Sequence, residues 1–266
     1  MVEASSRFGR CESGASRNVL TFTDSTLGMI HPRAVTSRTR ELRAVIFDGD
    51  GVLIHSMERN AEAYQGALRL IGVEVGEDEV FVNEGLRSGK LIERLARAHG
   101  LVLPIGQLAH LTREHQRIFT SFGVMPLYPD AAATVRMIHR ASIRTALVTA
   151  NERENAVRNL APILPMLDVV VTAEDVTNSK PDPEPYRVAL AKLEVPPTES
   201  VVVENSPLGI LSAKAAGINV VAITTTNSVQ RLSLADSVIG SLVELPNALA
   251  ELGWKVDTLR GISGWP

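Results

Sequence analysis

Short apolar runs alternate with amphipathic stretches along most of the chain. The apolar runs are residues 44–47, 145–149, 168–172, 201–204 and 220–223. The stretches with apolar residues at helical spacing are 130–141, 153–161, 184–194 and 207–216. Continuous apolar runs are typical of strands covered on both faces, and their alternation with helices is typical of βαβ units. The pattern therefore predicts an α/β protein with a doubly wound, parallel, Rossmann-like sheet.

Residues 57–125 interrupt this alternation, because they contain helical patterns but no convincing strand. For example, Leu91, Ile92 and Leu95 fall on one face of a predicted helix. A helical segment inserted after the first strand predicts a small second domain, a cap. The predicted division is a core of residues 41–56 and 126–250, a helical cap of residues 57–125 and a C-terminal tail of residues 251–266.

Residues 1–40 differ in composition from the rest of the chain. Ser, Thr and Arg dominate there, Lys is absent, and six Arg stand against three acidic residues. This composition suits an organellar transit peptide and equally a disordered extension, and it lacks the apolar stretch of a secretory signal. We therefore expect a cytoplasmic protein, or a chloroplast or mitochondrial one if residues 1–40 are a transit peptide.

Composition excludes several classes of function. Apolar residues make up 45% and charged residues 21% of the 266 positions, and no stretch approaches the roughly 18 apolar residues of a membrane span. The net charge of −3 and an aromatic content of 4% provide neither the basic face nor the stacking platform of a nucleic-acid binder. A single cysteine, Cys11, cannot form an intramolecular disulfide. We expect no nucleic-acid or membrane partner.

Polar residues follow four of the predicted strands, at the point where each strand ends. They are Asp48 and Asp50 after the first, Thr149, Ala150 and Asn151 after the second, Lys180 after the third, and Glu204 and Asn205 after the fourth. Each motif alone also occurs in ordinary turns. Because the carboxyl ends of parallel strands form one edge of a sheet, where such folds bind ligands, we expect these groups to converge.

Together these residue types indicate phosphoryl transfer. Of two carboxylates two positions apart, one can act as nucleophile and the other as general acid and base. A phosphoryl group is negatively charged, so attack by a carboxylate needs the charge of Lys180 and the hydroxyl of Thr149. Clustered carboxylates also need a cation such as Mg²⁺, for which Asp48, Glu204 and Asn205 are candidate ligands.

These motifs resemble those of the haloacid dehalogenase superfamily, in the branch that carries a helical cap after the first motif. The matching stretches are residues 45–53 (VIFDGDGVL), 146–151 (ALVTAN), 179–186 (SKPDPEPY) and 201–210 (VVVENSPLGI). The resemblance extends over about residues 43–245. Phosphoglycolate phosphatases and beta-phosphoglucomutases belong to this branch, so the resemblance implies chemistry on a phosphate ester.

The resemblance also implies a role for each motif. Asp48 would form an aspartyl-phosphate intermediate, while Asp50 would protonate the leaving group and then activate water. Residues 149–151 would bind the phosphoryl oxygens, and Lys180 would neutralise them and orient the nucleophile. The ligands of Mg²⁺ would be Asp48, the backbone carbonyl of Asp50, Glu204 and Asn205.

Several positions distinguish this chain within the superfamily. Asp50 favours phosphate chemistry, because dehalogenases need no proton donor for halide departure and typically lack this residue. Asn205 replaces the usual Asp, so an uncharged amide oxygen would stand in for a charged metal ligand. Asn60 stands where beta-phosphoglucomutases carry a His. In the predicted cap, Arg87 and Ser88 are candidate contacts to the polar end of a substrate, or solvated residues at a helix start.

The resulting prediction is a Mg²⁺-dependent phosphatase that hydrolyses a small phosphomonoester, of the sugar phosphate or phosphoglycolate type, through an aspartyl-phosphate. One alternative is a beta-phosphoglucomutase-like phosphosugar mutase. The other, motivated by Asn205, is a catalytically weakened binding protein. The expected partner is a small phosphorylated metabolite, and we expect a monomer, as capped relatives often are.

Overall fold

The fold is described by a computed structural model for residues 40–256 and Leu259. Six parallel strands form one sheet in the order β3-β2-β1-β4-β5-β6. The strands are β1 (Ala44–Asp48), β2 (Arg144–Val148), β3 (Val169–Val171), β4 (Ser200–Glu204), β5 (Asn219–Ile223) and β6 (Ser237–Ile239). The predicted doubly wound parallel sheet is confirmed, and β6 is a strand that the apolar pattern did not predict.

Helices lie between the strands and in one long insertion. The helices are α1 (Met57–Arg69), α2 (Glu77–Phe81), α3 (Ser88–Ala98), α4 (Ile105–Ser121), α5 (Ala131–Arg140), α6 (Arg153–Leu160), α7 (Glu184–Leu193), α8 (Pro207–Ala215) and α9 (Leu245–Glu251). Short 3-10 helices occupy Leu164–Met166, Ala173–Asp175, Pro197–Glu199 and Leu242–Glu244. None of the described helices is both long and apolar enough to cross a membrane.

The central strand β1 is buried along its whole length, with β2 on one side and β4 on the other. Alternate residues enter different apolar clusters: Phe47 packs with the layer that contains α5 and α9, and Ile46 with the layer that contains α7 and α8. Side chains of successive strand residues point to opposite faces of a sheet. Burial of both faces therefore explains why the strand sequences are continuous apolar runs instead of alternating ones.

Helices α1 to α4, here called the helical insertion (residues 57–121), all lie between β1 and β2 in the chain. They enclose a separate apolar cluster that includes Tyr64, Leu68 and Leu111. The helical content predicted for residues 57–125 is confirmed, and the division into core and cap domains stays a prediction. Residues 1–39 and most of the predicted tail lie outside the described residues.

The two segments that connect the sheet to the helical insertion lie next to each other. The amide of His55 donates to the carbonyl of Pro126 at 2.9 Å, and the amide of Tyr128 donates to the carbonyl of Leu53 at 2.9 Å. Ile54 and Leu127 form an antiparallel bridge between these two connections. The helical insertion is therefore attached where β1 ends.

Candidate active site

The strand register brings the predicted motifs to one edge of the sheet. Asp48 pairs with Val148 of β2, and Phe47 pairs with Val203 of β4, so the next residues of these strands, Thr149 and Glu204, end at the same edge. Both carboxylates of the first motif are buried there, Asp48 with 6% and Asp50 with 7% of its surface exposed. The predicted convergence of the strand ends is therefore present in the fold.

A tight turn follows β1 and requires glycine at position 51. Gly51 has a φ of +80°, and a Cβ on it would lie 2.0 Å from Nδ2 of Asn205. Positive φ is costly for residues with a side chain. The turn therefore sits directly against the fourth motif, and any side chain at position 51 would displace Asn205.

Lys180 is buried between two carboxylates. Its Nζ donates to Oδ1 of Asp48 and, at 2.6 Å, to Oε1 of Glu204. Only 2% of the Lys180 side chain is exposed. Burial by itself would lower the pKa of Lys180, but the Asp48 and Glu204 carboxylates raise that pKa well above its ordinary value. The ammonium group therefore stays charged and holds Asp48 in place.

Glu204 is held by protein donors at both carboxylate oxygens. Oε1 accepts from Lys180 and from the hydroxyl of Tyr186 at 2.9 Å. Oε2 accepts from the hydroxyl of Ser206 at 3.0 Å and from the amides of Asn205 and Ser206 at 2.9 Å each. These amides precede α8, whose N-terminal end favours negative charge. Glu204 is thus a fixed counter-charge for Lys180.

Asp50 has a different environment, in which its partners are neutral donors. The hydroxyl of Ser56 donates to Oδ1 at 2.5 Å, and Nδ2 of Asn151 donates to Oδ2 at 2.7 Å. Burial raises the pKa of Asp50, while the hydrogen bonds from Ser56, Asn151 and Thr149 oppose that increase. A buried carboxyl with a raised pKa is suited to giving and taking a proton during a reaction.

The pKa of Asp48 is also raised, chiefly by burial and further by the charges of Glu204 and Asp50, against the opposing effect of Lys180. Lys180 binds only Oδ1, and Oδ2 of Asp48 accepts no hydrogen bond from the described part of the chain. A free carboxylate oxygen beside a fixed ammonium group is the arrangement that a nucleophile requires.

Asn205 contacts an acidic residue of the helical insertion. Its Nδ2 donates to Oε2 of Glu84 at 2.9 Å and to the hydroxyl of Thr226 at 2.8 Å. Glu84, in the turn between α2 and α3, is 8% exposed, and Asn205 is fully buried. Sequence analysis did not find Glu84, because no motif surrounds it and its position depends on how the helical insertion packs.

A small cavity lies between the sheet edge and the helical insertion. Its walls include Asp48, Asp50, Tyr64, Glu84, Ser88 and Asn151. The free space of about 30 Å³ is enough for only a few water molecules. A wider cavity of about 420 Å³ adjoins it at Ser88 and Asn151. Its other walls include Lys90, Glu93, Thr112, Gln116 and Glu152.

The predicted substrate contacts occupy two kinds of position. Ser88, Ala150 and Asn151 line the small cavity, whereas Arg87 is engaged with backbone. Its guanidinium donates to the carbonyls of Ala173, at 2.5 Å, and Val176. Arg87 therefore joins the helical insertion to the loop after β3, and its contact with substrate stays a prediction.

Two further side chains of the site were missed by sequence analysis. Ser56 directly precedes α1 and carries no motif of its own, yet it is buried against Asp50. Tyr186, in α7, reaches Glu204 from the motif that contains Lys180. The signal that could have indicated Tyr186 is its position inside that motif.

The donor set of the site fits a hard cation. Among the described residues no three or more His, Cys, Asp or Glu side chains group as a metal site. However, Oε1 of Glu84 and Oδ1 of Asn205 are buried without a hydrogen-bond partner in the described structure. Such oxygens are costly when unpaired, and oxygen atoms are the ligands that Mg²⁺ prefers.

Known proteins are similar to this chain in sequence and in fold. The validoxylamine A 7'-phosphate phosphatase of Streptomyces hygroscopicus subsp. limoneus is 33% identical, over 76% of this chain and 95% of the relative. The hexitol phosphatase A of Escherichia coli (strain K12) is 31% identical, over 76% of this chain and 93% of the relative. A Bacteroides vulgatus structure assigned as a beta-phosphoglucomutase matches with a TM-score of 0.72 and 27% identity. That match covers 84% of this chain and 90% of the other.

The family model of haloacid dehalogenase-like hydrolases matches residues 45–223, which include all four motifs. The match begins in β1, ends in β5 and includes the helical insertion. On this evidence, the chain is a hydrolase of the haloacid dehalogenase-like family.

Proposed function

We propose that the protein is a Mg²⁺-dependent phosphatase that hydrolyses small phosphomonoesters through an aspartyl-phosphate on Asp48. The proposal rests on two buried carboxylates, Asp48 and Asp50, which line the same cavity. Of these two, only Asp48 is hydrogen-bonded to the buried ammonium group of Lys180. Asp48, beside Lys180, acts as the nucleophile. Asp50, among neutral donors, acts as the general acid and base.

In the first step, the free oxygen of Asp48 attacks phosphorus, and the bond between phosphorus and the ester oxygen breaks. Asp50 donates its proton to the departing oxygen, so the alcohol leaves uncharged. In the second step, Asp50 takes a proton from water, and the resulting hydroxide attacks phosphorus. The bond between phosphorus and Asp48 then breaks, which releases inorganic phosphate and restores both carboxyl groups.

The other residues of the sheet edge bind and orient the reacting groups. Thr149 and the turn at Ala150 and Asn151 provide hydrogen-bond donors for the phosphoryl oxygens. Lys180 keeps Asp48 oriented. It also compensates the negative charge on the phosphoryl oxygens while Asp48 attacks. Because both oxygens of Glu204 already accept hydrogen bonds from the protein, we assign this residue to positioning Lys180 instead of to the metal.

The residues that would hold Mg²⁺ are Asp48, the backbone carbonyl of Asp50 and the side chain of Asn205. When bound, the ion supplies positive charge to the phosphoryl oxygens. The catalytically weakened binding protein is the less favoured alternative, because Asp48, Asp50 and Lys180 are all present and mutually positioned.

We propose a sugar or sugar-alcohol phosphate as the substrate class. The name of one relative specifies hexitol, and that of the other specifies validoxylamine A 7'-phosphate. The wider cavity carries polar side chains of Lys90, Thr112 and Gln116, which suit the hydroxyl groups of such molecules. The small cavity has no room for the whole substrate, so the rest of the molecule would extend into the wider cavity that adjoins it at Ser88 and Asn151.

A phosphosugar mutase remains the second candidate because of the similarity to the Bacteroides vulgatus structure. Residue 60, which borders the small cavity, is Asn in this chain, so it cannot supply the acid and base function of a His there. The two candidates differ in their product, since only the phosphatase releases inorganic phosphate.

The test is phosphate release from hexitol phosphates, hexose phosphates and phosphoglycolate, with Mg²⁺ or with a chelator. We expect Mg²⁺-dependent release that Asp48→Asn abolishes and that the surface variant Asp78→Asn retains. Conversion between phosphosugar isomers without phosphate release would favour the mutase. Release that persists in Asp48→Asn would contradict the proposed nucleophile.

A further inference from the structure

The buried charges of the site do not balance within the described residues. Asp48, Asp50, Glu84 and Glu204 are all buried, whereas Lys180 is the one buried ammonium or guanidinium side chain that accompanies them in the described structure. Burial of unpaired charge is strongly unfavourable. Glu204 and Asp48 share Lys180, whereas Asp50 and Glu84 accept hydrogen bonds only from neutral donors in the described structure.

Glu84 is nevertheless held firmly in the site. Gly85, with a φ of +95°, packs on Lys180 so closely that a Cβ on it would lie 3.1 Å from Cβ and Cδ of the lysine. Nδ2 of Asn227 donates to the carbonyls of both Phe81 and Asn205. These contacts fix the turn that contains Glu84 against the fourth motif.

The side chains of Glu84 and Asn205 form a complementary pair of hydrogen-bond acceptor and donor. The Asn205 amide donates to Oε2 of Glu84, which a carboxylate at position 205 could not do. An Asp there would instead bring two like charges together. Glu84 lines the same cavity as Asp48 and Asp50, and its Oε1 is buried without a hydrogen-bond partner in the described structure.

From these observations we propose that Glu84 supplies the charged ligand that position 205 lacks. A carboxylate of the helical insertion thereby completes the cation site of the core. The inference rests on the proposed function, because it takes the cation of that function as its ligand. It has the further consequence that cation affinity depends on how the helical insertion packs against the sheet edge.

The experiment measures binding of Mn²⁺ alone to the full chain, by titration calorimetry and by the electron paramagnetic resonance signal of free Mn²⁺. We expect Glu84→Gln to raise the dissociation constant at least about tenfold, since a charged ligand is lost. Glu77→Gln, which removes an exposed carboxylate of the same helical insertion, should leave the constant unchanged. Adding Asn205→Asp to Glu84→Gln should return the affinity towards that of the parent.

The double variant also tests whether Glu84→Gln loses affinity only because it misfolds. It restores a negative charge at position 205 but keeps Gln at position 84, so recovered affinity would show that the charge was the missing component. Equal Mn²⁺ affinity in the parent and Glu84→Gln would overturn the role of Glu84 alone. The proposal would also be overturned if Asn205→Asp increased Mn²⁺ affinity equally in the parent and in Glu84→Gln. Residues 84 and 205 would then act independently. A parent that binds no Mn²⁺ would remove both this inference and the metal dependence of the proposed function.

Discussion

Gly209 approaches Glu204 so closely that a Cβ on the glycine would lie 1.6 Å from Oε1 of the carboxylate. Glycine in a helix is usually unfavourable, by about 1 kcal/mol relative to alanine. At position 209 of α8, however, glycine is favoured over alanine. The Glu204 carboxylate, which binds Lys180, occupies the space where a Cβ would lie. The orientation of Asp48, the proposed nucleophile, therefore depends on a residue with no side chain.

Gly209→Ala should consequently destabilise the protein and greatly reduce phosphate release, because Glu204 must move away from Lys180. Thermal denaturation and phosphatase assays check both effects. Gly106→Ala is the matched control, since Gly106 also lies in a helix but a Cβ on it would extend into open space. A Gly209→Ala protein as stable and active as the parent would refute the importance of this contact.

Lys180→Met should lower the free energy of unfolding by about 3–5 kcal/mol, because it leaves Asp48 and Glu204 buried without a positive partner. Phosphate release should be lost as well. The control is Lys192→Met, which breaks an exposed ion pair with Asp175 and should cost at most about 1 kcal/mol. Urea denaturation at neutral pH measures both values, and similar losses in the two variants would contradict the buried pairing.

Asp50→Asn should retain Asp48, the proposed nucleophile, and lose the proposed general acid and base. We expect turnover to fall by about 10²–10⁴-fold, with the phosphoryl group retained on Asp48 when the substrate has a good leaving group. Intact-protein mass spectrometry after acid quenching detects that adduct, which Asp48→Asn should not form. Turnover at the parent rate would show that another group transfers the proton.

His115 should make the protein less stable in mild acid. It is buried in α4, stacks on Tyr64 at 3.9 Å between ring centroids, and lies 3.0 Å from Oδ1 of Asn60. Burial lowers the pKa of His115 from 6.5 to about 3. Below pH 6.5 the unfolded chain binds a proton that the native protein excludes, so stability falls as the pH falls towards 3.

Between pH 7 and pH 5 this effect amounts to about 2 kcal/mol. His115→Gln should remove that part of the pH dependence, whereas the exposed His110→Gln in the same helix serves as the control. Urea denaturation at the two pH values measures the difference. An unchanged pH dependence in His115→Gln would assign the acid sensitivity to other groups.

Much of the fold was predictable from local patterns, because strands buried on both faces leave continuous apolar runs in the sequence. β6 was not, since it begins with a Ser and its first two residues are only half-buried, so it lacks the continuous apolar run of the other strands. The four motifs at the strand ends were found for a similar reason, as each follows a recognisable strand. Glu84 and Ser56 were missed because their positions depend on packing between segments far apart in the chain.

The two connections that join the helical insertion to the sheet run side by side through Leu53 to His55 and Pro126 to Tyr128. Chain length added or removed beyond that junction need not disturb the spacing of the strands. If the helical insertion contributes to substrate choice, as proposed, such an attachment would allow that choice to change while the sheet that carries Asp48 stays the same. The exception is Glu84: if the proposed ligand is correct, an exchanged insertion must bring its own carboxylate or be accompanied by Asn205→Asp.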